Sequence, residues 1–233
     1  AIHGGLAFLL DHLPKDLHLV ISSRSDPPLP LARLRGRGQL AELRAEDLRF
    51  TEEEACLFFS GCPELNLSSD DSEALSAKTE GWIAGLQMAA LAMQGHKETA
   101  EFIKDFSGTN RFILDYLLEE VLKREARDIQ DFLLRTSILD RANGPLCDAL
   151  AIADSTRCGG EDPLGRGQAI LEYLERANLF LIPLDERREW YRYHHLLTEA
   201  LSSRLQQAQP ERFLALHRLA SVWYEQQDML EEA

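Results

Sequence analysis

One arginine of the sequence is suited to binding a phosphate group. Arg24 directly follows a short apolar run, His18 to Ser23, and precedes Asp26, Pro27 and Pro28. If the run is a strand of a parallel sheet, the guanidinium lies at the carboxyl end of that sheet, where α/β proteins bind ligands. A planar and permanently charged guanidinium pairs well with the oxygens of a γ-phosphate. A loop arginine paired with a carboxylate such as Asp26 explains the residues equally well.

Two adjacent histidines, His194 and His195, follow an aromatic run and open a predicted helix. A histidine near a helix N-terminus can donate a hydrogen bond to a phosphate oxygen, and its charge can change near neutral pH. From the residues alone, a capping or core role for His194 is preferred. His195 and Glu199 share a helix face, but two candidate ligands without a third do not define a metal site. We therefore predict no metal.

A third candidate lies just before a helix, at Gly81, Trp82 and Ile83. An aromatic or aliphatic side chain at this point can cover the flat face of a purine. The alternative is that Trp82 belongs to the ordinary core of the helices. The residues leave both interpretations open.

The sequence lacks the motifs of the common catalytic sites. It contains no G-x-x-x-x-G-K-[ST] loop, no G-x-S-x-G and no H-E-x-x-H. Its cysteines, Cys56, Cys62, Cys147 and Cys158, form no C-x-x-C pair, so neither a zinc ribbon nor a redox motif is indicated. No nucleophile has a visible base beside it. We predict that this chain has no catalytic residues and is not an enzyme.

The candidate residues must be positioned by two kinds of structure. Within residues 1–50, the runs His18–Ser23 and Gln39–Leu43 predict short strands, as at the end of an α/β sheet. From Thr51 the apolar spacing becomes helical, and Thr51 with Glu54 has the pattern of a capping box.

A second change of period follows Asn178. Leu179–Leu184 and Trp190–Tyr193 are apolar and aromatic runs separated by a charged tip, which predicts a β-hairpin. Helices followed by one hairpin favour a winged helix. Arg187 and Arg188 of the tip could contact DNA phosphates, but their acidic neighbours favour a solvated turn.

Composition excludes several classes of protein. With 25 Lys and Arg against 39 Asp and Glu, the net charge of −14 is too negative for a general binder of phosphate backbones. A hydrophobic fraction of 45% is enough to bury a core. No apolar run approaches the ~18 residues of a membrane span, and no signal peptide is visible. We predict a cytoplasmic protein that contacts neither membrane nor nucleic acid through this chain.

Four motifs in the same order resemble the MalT-like large ATP-binding regulators of the LuxR family, which are signal-transducing ATPases with numerous domains. The motifs are Leu19–Arg35, Leu48–Ala55, Gly81–Gln87 and Trp190–Leu197. In that family an ATPase domain is followed by a winged helix, a helical sensor array and a terminal helix-turn-helix. The resemblance implies that this chain is a central fragment, and that the phosphate loop and magnesium site precede it.

The resemblance also implies an architecture, mainly α, in four parts. Residues 1–50 would be the end of an α/β nucleotide-binding sheet, 51–108 a helical lid, 109–208 a winged-helix unit with one hairpin, and 209–233 the start of a helical repeat array. We expect these boundaries in the structure.

Four site residues follow from the same resemblance. Arg24 resembles the sensor arginine that reports a γ-phosphate. Trp82 and Ile83 lie where the family has a Gly-x-Pro segment against adenine, with Ile83 replacing the proline. His194 matches the phosphate-facing histidine of a Met-His-Asp segment, and His195 stands where aspartate is usual, so its role stays open.

The implied function is that of an ATP-dependent, inducer-responsive transcriptional activator, to which this chain contributes nucleotide-sensing and autoinhibitory surfaces. ATP or ADP would bind the full-length protein, with little affinity for this chain alone. The implied partners are its own upstream ATPase core, its downstream sensor and DNA-binding regions, a small-molecule inducer and a second copy. The alternative is a helical interaction scaffold that does not depend on nucleotide.

Overall fold

The computed structural model covers most of the chain, and the described residues are mainly helical. The described ranges are 2–14, 16–23, 26–65, 67–94, 99–155 and 165–229. Their α-helices are α1 (Ile2–Asp11), α2 (Leu31–Gly36), α3 (Glu52–Ser60), α4 (Ser69–Thr79), α5 (Ile83–Met93), α6 (Thr99–Asp105), α7 (Arg111–Tyr116), α8 (Arg127–Thr136), α9 (Gly144–Ser155), α10 (Gly167–Arg176), α11 (His195–Ala208) and α12 (Pro210–Gln226). Strands β1 (Leu181–Pro183) and β2 (Tyr191–Tyr193) form one antiparallel sheet. The prediction of a mainly α chain is confirmed.

The N-terminal segment, residues 2–50, contains α1 and α2 but no strand within its described residues. The runs 18–23 and 39–43, for which the sequence predicts strands, have no ladder partner among the described residues. A strand forms through hydrogen bonds to a neighbouring strand. Without such a neighbour, apolar side chains of these runs remain exposed to solvent, as at Val20, which is 91% exposed. The assignment of this segment to the end of a nucleotide-binding sheet stays a prediction.

Two capping boxes fix the starts of α3 and α4. The Thr51 hydroxyl accepts a hydrogen bond from the Glu54 amide at 3.2 Å, and the Thr51 amide donates to the Glu54 carboxylate at 2.9 Å. Ser68 and Asp71 repeat this pattern at the start of α4. Because each box satisfies amides that the first helical turn leaves unpaired, the helices begin at defined residues. The first box is the one that the sequence predicts.

The predicted β-hairpin is present and is pinned to the helices around it. Its register pairs Leu181 with Tyr193 and Pro183 with Tyr191. Tyr191 also exchanges backbone hydrogen bonds with Ala142, at 2.8 and 2.9 Å, so the hairpin is attached to the loop before α9. Tyr191 is completely buried and Tyr193 nearly so. Since strand side chains alternate, Arg192 lies on the opposite face.

The tip of the hairpin is held by local contacts. Asp185 accepts a hydrogen bond from the Trp190 amide at 2.7 Å, and the Arg188 guanidinium lies 2.7 Å from Glu175 on α10. An arginine already paired with a carboxylate is a poor anchor for a DNA phosphate. The contact therefore favours the solvated turn.

The loop between α6 and α7 packs closely against α11 at Gly108. A Cβ atom on this glycine would lie 2.0 Å from the Leu196 carbonyl oxygen. The Gly108 amide donates to the Glu199 carboxylate at 2.6 Å, so α11 is tied to the loop between α6 and α7. Although several helices are apolar, none in the described ranges is long and apolar enough to cross a membrane.

Candidate functional site

A cleft of about 960 Å³ lies between the N-terminal segment and the β-hairpin. Trp82, Ile83 and His194 all line it, so the structure brings three of the four predicted site residues together. The fourth, Arg24, lies outside the described residues. Its neighbours Ser23 and Asp26 line the same cleft.

The turn between α4 and α5 shapes one wall of the cleft. Glu80 and Gly81 both adopt left-handed backbone conformations, with φ values of 48° and 69°. A Cβ atom on Gly81 would lie 2.3 Å from the Phe50 carbonyl oxygen, so only glycine fits there. The Phe50 amide in turn donates to the Gly81 carbonyl at 2.8 Å. The turn is thereby fixed against Phe50, two residues before the start of α3.

Trp82 sits in an aromatic cluster at the cleft. Its ring centroid lies 4.9 Å from that of Phe180, 5.5 Å from Tyr116 and 6.1 Å from His194. Trp82 is half-buried, while Ile83 remains 37% exposed beside it. Trp82 therefore packs as a core residue and also lines the cleft, and the two interpretations of this residue are compatible.

His194 is a buried and fully hydrogen-bonded N-cap of α11. Its Nδ1 accepts from the Leu196 amide at 3.3 Å, so the ring proton lies on Nε2, which donates to the Thr79 carbonyl at 2.9 Å. Burial lowers the pKa of His194 to about 4, against the opposing pull of the Glu80 carboxylate. The imidazole is therefore neutral at pH 7. A phosphate could take its N–H only in place of Thr79.

The Glu80 carboxylate, beside the two histidines, accepts hydrogen bonds from several donors. Glu80 accepts two hydrogen bonds from Arg192, at 2.8 and 2.9 Å, and one from His195 Nδ1 at 2.9 Å. Arg49 lies 3.3 Å away. Burial raises the pKa of Glu80, but the bonds from His195 and Arg192 outweigh it and hold the pKa well below its usual range. We call these four residues the Glu80 clasp.

Sequence reasoning missed Glu80, Arg192 and Arg49 as partners. The alternation of β2 was the available signal, because it turns Arg192 away from the two buried tyrosines. His195, whose role the sequence leaves open, pairs with Glu80.

Ligand atoms of Glu80, His194 and His195 lie within 4.8 Å of one another, close enough for a metal ion. Arg192 already engages both Glu80 oxygens, and both His194 nitrogens are used. A guanidinium cation at this distance opposes a second cation. Glu199, the other ligand considered from the sequence, instead accepts from Gly108. The arrangement favours hydrogen bonding over metal binding.

The hairpin and its flanking helices form a winged-helix unit. Residues 118–213 match the family model described as the MalT winged helix domain. The match shows that this part of the chain is a winged-helix unit.

Known proteins are similar over nearly the whole chain. The chain is 34% identical to the serine/threonine-protein kinase PknK of Mycobacterium tuberculosis (strain ATCC 25618 / H37Rv), over 98% of this chain and 20% of that protein. It is 38% identical to the HTH-type transcriptional regulator MalT of Serratia proteamaculans, over 94% of this chain and 23% of that protein. The MalT of Klebsiella pneumoniae (strain ATCC 700721 / MGH 78578) is 36% identical, over 100% of this chain and 25% of that protein. The chain is MalT-like, and it spans about a fifth to a quarter of the length of these relatives.

Proposed function

We propose that this chain is the nucleotide-sensing part of a transcriptional regulator, with ADP or ATP held in the cleft beside the winged helix. The regulatory role is supported by the likeness to relatives named as MalT transcriptional regulators. The nucleotide role rests on one observation, that Trp82 and Ile83 line the same cleft as His194, which is far from them in sequence. Its volume of about 960 Å³ suits a small molecule of this size.

The side chains of the cleft fit the chemistry of a nucleotide. Trp82 and Ile83 offer a flat apolar surface to a purine. His194 offers one N–H, which a phosphate would receive in exchange for the Thr79 carbonyl. Arg24 would add a permanent charge, and Asp26 close to it in sequence belongs to the cleft wall.

In the proposed mechanism, ADP holds the winged helix against the ATPase core of the intact protein. Exchange for ATP, aided by a small-molecule inducer on the downstream array, releases it for self-association and promoter activation. Such a switch requires that each nucleotide bind the two packings with different affinity.

The second candidate function is a helical interaction scaffold without nucleotide. It is favoured by the closed hydrogen bonding of His194, whose two ring nitrogens are satisfied within the protein. One likeness to a kinase and others to transcriptional regulators are compatible with a scaffold that serves different output domains.

Calorimetric titration of ADP and ATP into the intact protein distinguishes the two functions. Ile83→Asp introduces a charge into the cleft, and we expect it to weaken ADP binding at least about tenfold. Leu91→Asp is the matched control, because Leu91 lies on the same helix, is 42% exposed and does not line the cleft. No binding by the unmodified protein would favour the scaffold, and equal losses in both variants would contradict the assigned cleft.

A further inference from the structure

The proposed lid, residues 51–108, and the winged helix, residues 118–213, contact each other at two residues with uncommon backbone conformations. Glu80 has φ 48° at the end of α4, and Phe180 has φ 57° just before β1. A left-handed conformation is costly for residues with a Cβ atom, above all for an aromatic one, and such strain concentrates at functional contacts. Phe180 packs on Trp82, and its carbonyl accepts from the His194 amide at 2.8 Å. The strained residues thus lie on both sides of one contact beside the cleft.

The Glu80 clasp crosses this contact. Its carboxylate belongs to the lid, whereas Arg192 and His195 belong to β2 and the start of α11. The Glu80 side chain is 16% exposed, and its bonds to Arg192 are bidentate and charge-assisted, the geometry with the strongest pairing. The clasp therefore fixes both the position and the orientation of the hairpin on the lid.

The clasp and the cleft share the hairpin and one residue of the clasp, Arg49. Glu80, Arg192 and His195 do not line the cleft, whereas Phe180 and His194 do. His195 stacks on His194 with ring centroids 4.9 Å apart, so a displacement of one ring would displace the other. Any movement of the hairpin away from Glu80 would move the cleft wall.

We infer that Glu80 is a positioning residue that holds the hairpin on the lid and thereby sets the cleft in its ligand-binding shape without touching the ligand. The identity of the ligand rests on the proposed function. The role of Glu80 in holding the hairpin on the lid does not depend on the proposed function, and it is tested separately.

Hydrogen exchange of the ligand-free intact protein tests the holding step. Glu80→Gln keeps the shape and an acceptor but removes the charge, and Arg192→Lys keeps the charge but removes the bidentate geometry. We expect exchange of peptides containing the His194 and Phe50 amides to become about tenfold faster in both variants. Unchanged exchange in both would overturn the inference.

Glu175→Gln is the matched control. Glu175 is 19% exposed, pairs with Arg188 at 2.7 Å within the winged helix and does not line the cleft. We expect its exchange at His194 and Phe50 to equal that of the unmodified protein. If Glu175→Gln accelerated hydrogen exchange equally, the effect would reflect a general loosening of the fold. The assignment to Glu80 would then be overturned.

ADP titration tests the second step. We expect Glu80→Gln to raise the ADP dissociation constant about tenfold and Glu175→Gln to leave it within about twofold. Absence of ADP binding by the unmodified protein would refute the proposed nucleotide but not the holding step, which exchange measures. Normal ADP affinity in Glu80→Gln, with binding by the unmodified protein, would overturn the inference alone.

Discussion

The N-terminal segment and the winged helix differ in how far their apolar residues are buried. Val20 and Leu43 of the segment are 91% and 78% exposed, whereas Tyr191 and Leu171 of the winged helix are completely buried. Both regions are rich in apolar residues, so composition does not explain the contrast. Helices with apolar faces are covered by neighbouring helices, while a strand forms only where another strand pairs with it through hydrogen bonds. Burial in the two regions therefore depends on contacts of different range.

Ion pairs show the same contrast. Arg33 pairs with Asp11 in the N-terminal segment, where both side chains are at least 35% exposed. Glu80 at the end of α4 pairs with Arg192 of β2, and there the carboxylate is 16% exposed. Exposed pairs contribute little because water and salt screen them, whereas partly buried pairs hold their geometry.

Truncation of one phenylalanine in each region gives the sharpest test of the comparison. Phe132 is 1% exposed and Phe8 is 67% exposed. We expect Phe132→Ala to lower the free energy of unfolding by about 3–5 kcal/mol, because it leaves a cavity. Phe8→Ala should change it by less than about 0.5 kcal/mol. Urea unfolding measures both, and similar losses in the two variants would break the comparison.

Acidification should weaken the region around His194 before it affects the exposed segment. The pKa of His194 is about 4 in the folded protein against an ordinary value of 6.5, so the unfolded state binds the extra proton between these values. The stability of the folded state that depends on neutral His194 is fully present above pH 6.5. It is lost as the pH falls toward 4, by up to about 3 kcal/mol. Unfolding free energies measured between pH 7 and 4 check this.

His194→Asn is the control for that pH dependence, because asparagine can still cap α11 but does not titrate. Its stability should vary less between pH 7 and 5. Glu80 adds a loss in the same direction only at lower pH, since its folded pKa is below the usual 4.5. An unchanged pH profile in His194→Asn would assign the effect to another group.

The smallest expected effect lies at the boundary between the regions. Thr51→Ala removes the hydroxyl of the capping box and should cost about 1 kcal/mol. Thr51→Ser keeps the hydroxyl and should cost less. Helix α2, whose N-cap residue Pro30 makes no side-chain capping hydrogen bond, has no comparable contact to lose. Thermal unfolding of the two variants measures the difference.

The sequence predicts local features of this protein well. The capping box at Thr51 and the hairpin of β1 and β2 depend on residues close together in the chain, and both are present. The predicted strands at 18–23 and 39–43 depend on distant partners, and the described residues provide none.

The candidate site divides along the same line. Trp82 and His194 could be selected because each follows a recognisable local signal. Glu80 could not, because its role arises from Arg192, which is far away in sequence. The roles of Arg24, Trp82, Ile83 and His194 in nucleotide binding stay predictions.

The alternation of β2 has a consequence for how this sequence can vary among its relatives. Inserting one residue between Tyr191 and Arg192, with Tyr191 held in place, would turn Arg192 into the core and Tyr193 out of it. The turn from Thr79 to Trp82 should tolerate changes of length equally poorly, because two successive residues in left-handed conformations set the directions of its side chains. Length changes should therefore accumulate at the hairpin tip, residues 185–189, and be selected against in the two short stretches that form the contact.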